Sequence, residues 1–191
     1  MHPPSDPTPL PAGTPQRDVP VLRSERLTLR APALNDLPAL CRMWANPKVV
    51  KYIGARPRSR SEVWTTMQRS LGCWYLLGYG FWTIAETDSG EVLGEIGFLE
   101  GLRDLTPPHA GTPEAGWCLD ELAWGQGYAS EALAAVVTWA DSHLNCARTI
   151  CIIDQGNVAS AAVAQKNGYS FNGNAELGGD TVATYVRPNR G

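Results

Sequence analysis

Apolar and polar residues along the chain follow two periods that together predict an α/β protein. In segment 21–31, from Arg26 onward, Leu27 and Leu29 fall on one side of a strand and polar residues fall on the other. Other segments place apolar residues three or four positions apart, which predicts helices with one buried face. Seven strands are predicted, at about 21–31, 81–87, 91–99, 114–120, 148–154, 169–172 and 181–186, and four helices, at about 36–45, 60–71, 128–144 and 157–168.

Cap and turn residues predict how these elements are joined. Asn35 or Asp36 caps the first helix, and Ser59 or Ser61 caps the second. The turn at 88–90 joins its two flanking strands as a hairpin. The strands at 114–120 and 148–154 are separated by a helix, which predicts a parallel strand–helix–strand unit. Residues 101–113, with two adjacent prolines, are predicted to form a loop.

The turn before the third helix carries the most informative chemistry. Two glycines stand in Trp124-Gly125-Gln126-Gly127, and no Ser, Thr, Asp or Asn directly precedes Tyr128 to cap the helix. The first backbone N–H groups of the helix are therefore free to bind an anion such as phosphate. A glycine is also an acceptable N-cap at the end of a loop, and the glycines alone favour this simpler interpretation.

Composition limits the classes of protein to which the chain can belong. Its 191 residues predict one domain at 21–191 after a flexible, proline-rich tail at 1–20. A net charge of −3 argues against a nucleic-acid surface, and no apolar run is long enough for a membrane span. The N-terminus lacks the features of a secretory signal. Five scattered cysteines and three isolated histidines predict no metal site and no disulfide framework, so we expect a cytoplasmic protein.

Two motifs resemble the signatures of the GNAT acetyltransferases. The stretch WGQGYASEAL, preceded by GWCLD, resembles their acetyl-CoA signature, in the form typical of the Rim-type ribosomal-protein N-terminal acetyltransferases. Trp124 stands where the superfamily usually has Gln or Arg. The second motif, NVAS…KNGY, fits at Asn157, Ser160, Val163, Lys166, Gly168 and Tyr169. Two motifs in the right order, on the right elements, are more specific than either alone.

This resemblance, which covers about 21–186, implies a fold and an activity. The fold would be α/β, with a mixed, mostly antiparallel, splayed sheet of six to seven strands and about four helices on both faces. The activity would be direct acetyl transfer from acetyl-CoA to a primary amine, with a protein N-terminal α-amine as the first candidate. A small-molecule amine acetyltransferase and a non-catalytic acyl-CoA sensor are the alternatives. No metal is implied, and a homodimer is compatible with the family.

The resemblance also assigns residues to the co-substrate. The pantetheine arm of CoA would pair with residues 117–119, between two strands that splay apart. The backbone amide of Cys118 would donate to the thioester oxygen, and the turn would hold the pyrophosphate. The implied binding residues are Trp117, Cys118, Leu119, Gly125, Gln126, Gly127, Tyr128, Ala129, Ser130, Asn157 and Ser160.

Two side chains are candidates for proton transfer. Glu114 matches the strand-start glutamate of Rim-type enzymes and would take a proton from the amine. Its simpler interpretation is an exposed carboxylate without a role, and the weaker rivals for the base are Glu95, Asp120 and Glu121. Ser160 matches the serine that is proposed to protonate the CoA sulfur, or it is a surface residue of an Ala-rich helix. Asn157 also has a structural interpretation as a helix N-cap.

Overall fold

One nine-stranded sheet organises the computed structural model, which describes residues 18–190. Its strand order is β1-β2-β3-β4-β6-β7-β9-β8-β5. The strands are β1 (Leu22–Arg23), β2 (Leu27–Arg30), β3 (Phe81–Glu86), β4 (Val92–Leu99), β5 (Leu105–Thr106), β6 (Glu114–Leu119), β7 (Arg148–Asp154), β8 (Ser170–Leu177) and β9 (Asp180–Pro188). The helices are α1 (Leu37–Ala45), α2 (Pro47–Val50), α3 (Arg60–Leu77), α4 (Tyr128–His143) and α5 (Val158–Lys166).

The structure has more elements than the sequence predicts because several of them are very short. β1 and β5 contain two residues each, too few for an alternating pattern, and β5 lies inside the predicted loop 101–113. α2 is a four-residue helix after Asn46. α3 continues past the predicted end at Leu71, because Trp74 is buried on its inner face, and it ends at Gly78 in the left-handed conformation.

All neighbouring strands are antiparallel except β6 and β7, which are parallel and are joined through α4. Within residues 18–190 these two strands pair at one position, Glu114 with Ile150, and then separate. β6 stays fully paired with β4 on its other side. The predicted mixed, mostly antiparallel and splayed sheet is therefore confirmed.

Helices cover both faces of the sheet, as predicted. α4 buries its apolar face, including Leu133, Val136 and Ala140, in the larger core on one side. Three tryptophans meet edge to face in that core, with ring centroids 4.6 to 5.4 Å apart: Trp74, Trp82 and Trp139. A second core, on the other face, joins α1 and α3 to the side chain of Cys118 on β6.

Two residues at the end of the predicted tail contact the core. Val19 packs against the larger core, and the carbonyl of Pro20 accepts a hydrogen bond from the indole of Trp82. The rest of that predicted tail, residues 1–17, lies outside the described residues. Among the helices of residues 18–190, none combines the length and apolarity that crossing a membrane would need.

Candidate active site

The turn at 124–127 leads into α4 without a side-chain cap. Gly125 has φ +73° and Gly127 has φ +83°, both in the left-handed region that glycine adopts without strain. Within the described chain, no side chain accepts a hydrogen bond at the N-cap of α4, so its first N–H groups remain available. Gly127 is the N-cap residue, so this geometry fits both the simpler interpretation and an anion site, and the anion site stays a prediction. Trp124 donates its indole N–H to the carbonyl of Leu119, which fastens the turn to the end of β6.

Arg26, which the sequence did not single out, fixes this turn in place. Its side chain donates to the carbonyl of Gln126 and pairs with Glu131 in the first turn of α4. Its guanidinium also stacks on the ring of Tyr128, 4.4 Å from the centroid. Glu131 additionally accepts from the Ser24 hydroxyl and from the Arg26 amide, so it ties the β1–β2 connection to α4.

The separating strands β6 and β7 leave a cleft that ends near the turn. The N–H of Asp120, just beyond β6, donates to the carbonyl of Leu93 in β4. Successive amides of a strand point to opposite edges. The amide of Cys118 therefore also faces β4, where its register partner is Glu95, while the amides of Trp117 and Leu119 face the cleft.

This ladder changes one predicted role. The Cys118 amide, predicted to donate to the thioester, is directed at β4 and away from the cleft. The Cys118 thiol is buried, and burial raises its pKa well above its ordinary value, so the thiol remains protonated. This environment is consistent with acetyl transfer without an acyl-enzyme. The amides of Trp117 and Leu119 are the ones in this stretch that face the cleft.

The start of α5 lies on the far side of the cleft, directly after β7. The Asn157 side chain accepts from the Ser160 amide at 3.1 Å, which confirms its structural interpretation as an N-cap. The Ser160 side chain is half-buried, and its hydroxyl has no hydrogen-bond partner between Asp18 and Arg190. The two signatures are linked, because Asn167 at the end of α5 donates to the hydroxyl of Ser130 in α4.

Glu114 lies where the cleft begins, and it is not the exposed carboxylate of the simpler interpretation. Only 7% of it is exposed, and one carboxylate oxygen accepts from Arg103. Burial raises the pKa of Glu114 to about 7; the guanidinium of Arg103 opposes this rise and the carboxylate of Glu100 adds to it. A carboxylate with a pKa near neutrality is suited to accept a proton from an amine.

The weaker candidates for the base either have their own hydrogen-bond partners or lie on a different strand from Glu114. Asp120 caps the short turn 121–123 by accepting from the Leu122 amide, and Glu121 accepts from both Asn46 and Lys48. Glu95 is buried on β4 opposite Cys118, and burial raises its pKa, while Arg58 nearby acts against this rise. Among residues 18–190, no group of three or more His, Cys, Asp or Glu side chains could hold a metal ion.

Sequence reasoning missed the partners of these residues. Arg103 lies in the segment predicted as a plain loop, eleven positions before Glu114. Arg26 lies on the polar, solvent-facing side of the predicted first strand. Its partner Glu131 is 105 positions away in the sequence. No local pattern connects such pairs, because they form only when the whole sheet is assembled.

The chain is similar to known acetyltransferases in sequence. The sequence profile described as "Acetyltransferase (GNAT) domain" matches residues 26–170. The uncharacterized N-acetyltransferase p20 of Bacillus licheniformis is 30% identical over 140 residues, which are 73% of this chain and 76% of that protein.

Solved structures share the fold. The acetyltransferase from Agrobacterium tumefaciens is 32% identical with a TM-score of 0.76, and the match covers 88% of this chain and 94% of that one. RimL, a ribosomal L7/L12 α-N-protein acetyltransferase solved in complex with coenzyme A, aligns at 24% identity with a TM-score of 0.70, over 88% of this chain and 98% of that one. The splayed sheet, the uncapped helix and these similarities agree: the chain belongs to the GNAT acetyltransferase family and is an N-acetyltransferase.

Proposed function

We propose that the protein transfers an acetyl group from acetyl-CoA to the α-amine of a protein N-terminus. The observation that carries this proposal is the alignment of three features along one cleft. The uncapped start of α4 lies at its mouth, the unpaired edge of β6 forms its wall, and Glu114 with its raised pKa lies at its apex.

The residues at the mouth and along the wall fit CoA. Amides of the turn Gly125–Gly127 and of the first residues of α4, Tyr128, Ala129 and Ser130, would hold the pyrophosphate. The amides of Trp117 and Leu119 would pair with the pantetheine arm in the manner of an added strand. Bound there, acetyl-CoA supplies the acetyl group as an activated thioester.

The chain's own residues would then move two protons. Glu114 accepts the proton of the acceptor amine, through its carboxylate oxygen that is not bonded to Arg103. Ser160 donates its hydroxyl proton to the departing sulfur and takes one back from solvent, and its free hydroxyl at the start of α5 suits this role. Asn157 contributes by fixing the first turn of α5, which positions Ser160.

The choice of acceptor rests on the likeness to RimL and on a second wall of the cleft, the connection between α1 and α3. The connection between α1 and α3 spans from β6 to β7: Lys48 pairs with Glu121 just after β6, and Tyr52 lies against Gly156 just after β7. A peptide N-terminus would approach beside this wall. The five cysteines are all free thiols, which is compatible with work in a reducing cytoplasm.

An acetylation assay with mass-spectrometric detection tests the proposal. The protein and acetyl-CoA are incubated with a serine-initiated hexapeptide, with its N-terminally blocked form, and with spermidine and an aminoglycoside. Acetylation of the free hexapeptide alone supports the proposal. Acetylation of the small amines alone would assign the enzyme to small-molecule acceptors, and binding of acetyl-CoA without any transfer would identify a sensor.

A further inference from the structure

A small cavity adjoins the proposed base, beneath the segment 100–112. Its volume is about 60 Å³, and its lining includes Glu100, Arg103, His109, Glu114, Ile150 and Ile152. A buried water needs about 10–15 Å³ on a comparable measure, so the cavity can hold a polar head group. It lies at the single point where β6 and β7 pair, which is the apex of the cleft.

Several polar atoms around this cavity have no hydrogen-bond partner within residues 18–190. The side chain of Glu114 makes one hydrogen bond within residues 18–190, from Arg103 to its Oε1, so its Oε2 is free. In the same part of the chain, Oε2 of Glu100 and both ring nitrogens of His109 are buried without a hydrogen bond. Buried polar atoms are normally paired, so a concentration of unpaired ones beside one cavity indicates a polar ligand.

The charges around the cavity indicate the sign of that ligand. Glu100 and Glu114 contribute two negative charges when both are ionised, and Arg103 contributes one positive charge. His109 is neutral, because burial and then Arg148 lower its pKa. The neighbouring Tyr79 and Cys151 stay protonated, because burial raises the pKa of both. Burial raises the pKa of both carboxyl groups, and when both are ionised one negative charge remains, which a single cation neutralises.

We propose that this cavity is the subsite for the ammonium head of the acceptor, and that it selects primary amines. The three N–H donors of a primary ammonium match Glu114 Oε2, Glu100 Oε2 and an acceptor nitrogen of His109. Glu100 is then a specificity-determining residue that binds the ammonium, while Glu114 takes one of its protons. This assignment rests on the proposed function, in which Glu114 is the base.

Binding of a minimal ligand tests the subsite without any need for turnover. Methylammonium is titrated into the full-length protein at constant ionic strength, while the ring resonances of its three histidines are followed by NMR, with His109→Gln for assignment. Tetramethylammonium has the same charge but no N–H donor, and it is the control. We expect methylammonium alone to shift the His109 resonance, and Glu100→Gln to weaken this binding by about tenfold or more.

Steady-state kinetics test the same residue during transfer. At saturating acetyl-CoA, Glu100→Gln is expected to raise KM for the acceptor about tenfold or more, with little change in kcat or in acetyl-CoA affinity. Asp104→Asn is the matched control, because it removes an exposed carboxylate from the same segment. An acceptor peptide with an N-methylated α-amine should bind the unmodified protein less tightly than the unmethylated peptide does. The difference between the two peptides should be smaller in Glu100→Gln, since that variant already lacks one donor–acceptor pair.

The outcomes separate this inference from the proposed function. If Glu100→Gln and Asp104→Asn have the same acceptor KM and methylammonium leaves His109 unshifted, the subsite is overturned even if transfer occurs. If methylammonium binds as expected but no amine is acetylated, the cavity remains an ammonium site and the proposed function fails. Unchanged acetyl-CoA affinity in Glu100→Gln shows that the variant is folded.

Discussion

Glu114 has a pKa near neutrality, which a glutamate acquires only from its surroundings. A free glutamate titrates near 4.5, and here burial on β6 raises the pKa to about 7 despite the adjacent guanidinium of Arg103. The raised value means that Glu114 retains its proton in the folded state below neutrality. The ionised, proton-accepting form therefore accumulates as the pH rises through about 7.

This titration gives the first prediction. For acetyl transfer, kcat/KM should fall tenfold per pH unit below about 7, because protonated Glu114 cannot accept a proton. Glu114→Gln should remove this acid-side fall from the pH profile of kcat/KM. It should also lower kcat by about 10²–10⁴, while acetyl-CoA affinity is retained. Glu91→Gln, an exposed carboxylate in the β3–β4 hairpin, is the control. A variant that loses acetyl-CoA affinity but keeps its turnover would refute the base assignment.

The second prediction concerns the free hydroxyl of Ser160. Ser160→Ala should slow release of the thiol by about 10²-fold, since the departing sulfur loses its proton donor. Acetyl-CoA binding should change little, because the backbone of α5 and its Asn157 cap are kept. The release of CoA is followed with a thiol reagent, and Ser142→Ala, an exposed serine on α4, serves for comparison. Equal rates in both variants would assign the acid role to another group.

At the scale of elements, the turn before α4 combines a backbone requirement with a binding role. Gly125 and Gly90 have the same φ of +73°, and a Cβ at either position would meet only open space. Both Gly→Ala changes should therefore cost a similar unfolding free energy, about 1–2 kcal/mol. Only Gly125→Ala should also weaken the binding of acetyl-CoA, because only that turn presents amides to the pyrophosphate. Calorimetric titration of acetyl-CoA into both variants measures these affinities. Equal affinities would show that the turn is not part of the binding site.

Local sequence patterns predicted the elements that bury a long periodic face. The apolar stripe of α4 and the alternation of β2 need only their own residues, and both are found in the structure. α3 is longer than predicted because Gly72 and its aromatic neighbours look like a break, whereas burial of Trp74 outweighs the roughly 1 kcal/mol cost of a helical glycine.

The site was predictable where it depends on the local sequence, and not where it depends on contacts between distant segments. The free helix start follows from the absence of a capping residue before Tyr128. The direction of the Cys118 amide depends on its register with β4, which the sequence of β6 does not contain. The pairing of Glu114 with Arg103 depends on the path of a loop.

At the scale of the whole molecule, ligand binding adds directly to the stability of the fold. Acetyl-CoA at a hundred times its dissociation constant should add about 2.7 kcal/mol to the free energy of unfolding. For a chain of this size, the melting temperature should rise by roughly 5–10 °C. Thermal unfolding with and without acetyl-CoA measures this, with adenosine as the control. No shift at millimolar acetyl-CoA would contradict the assignment of the turn.

The single pairing between β6 and β7 also makes the sheet a joined pair of half-sheets, each with an inner rim. Among residues 18–190, the Trp117 and Leu119 amides on this rim have no strand partner, so they should exchange their hydrogens for deuterium rapidly in the free protein. Occupation by a pantetheine arm should slow both amides, while the neighbouring Cys118 amide, bonded toward β4, stays slow throughout. Deuterium uptake along these three successive residues would thus record when the two half-sheets become one.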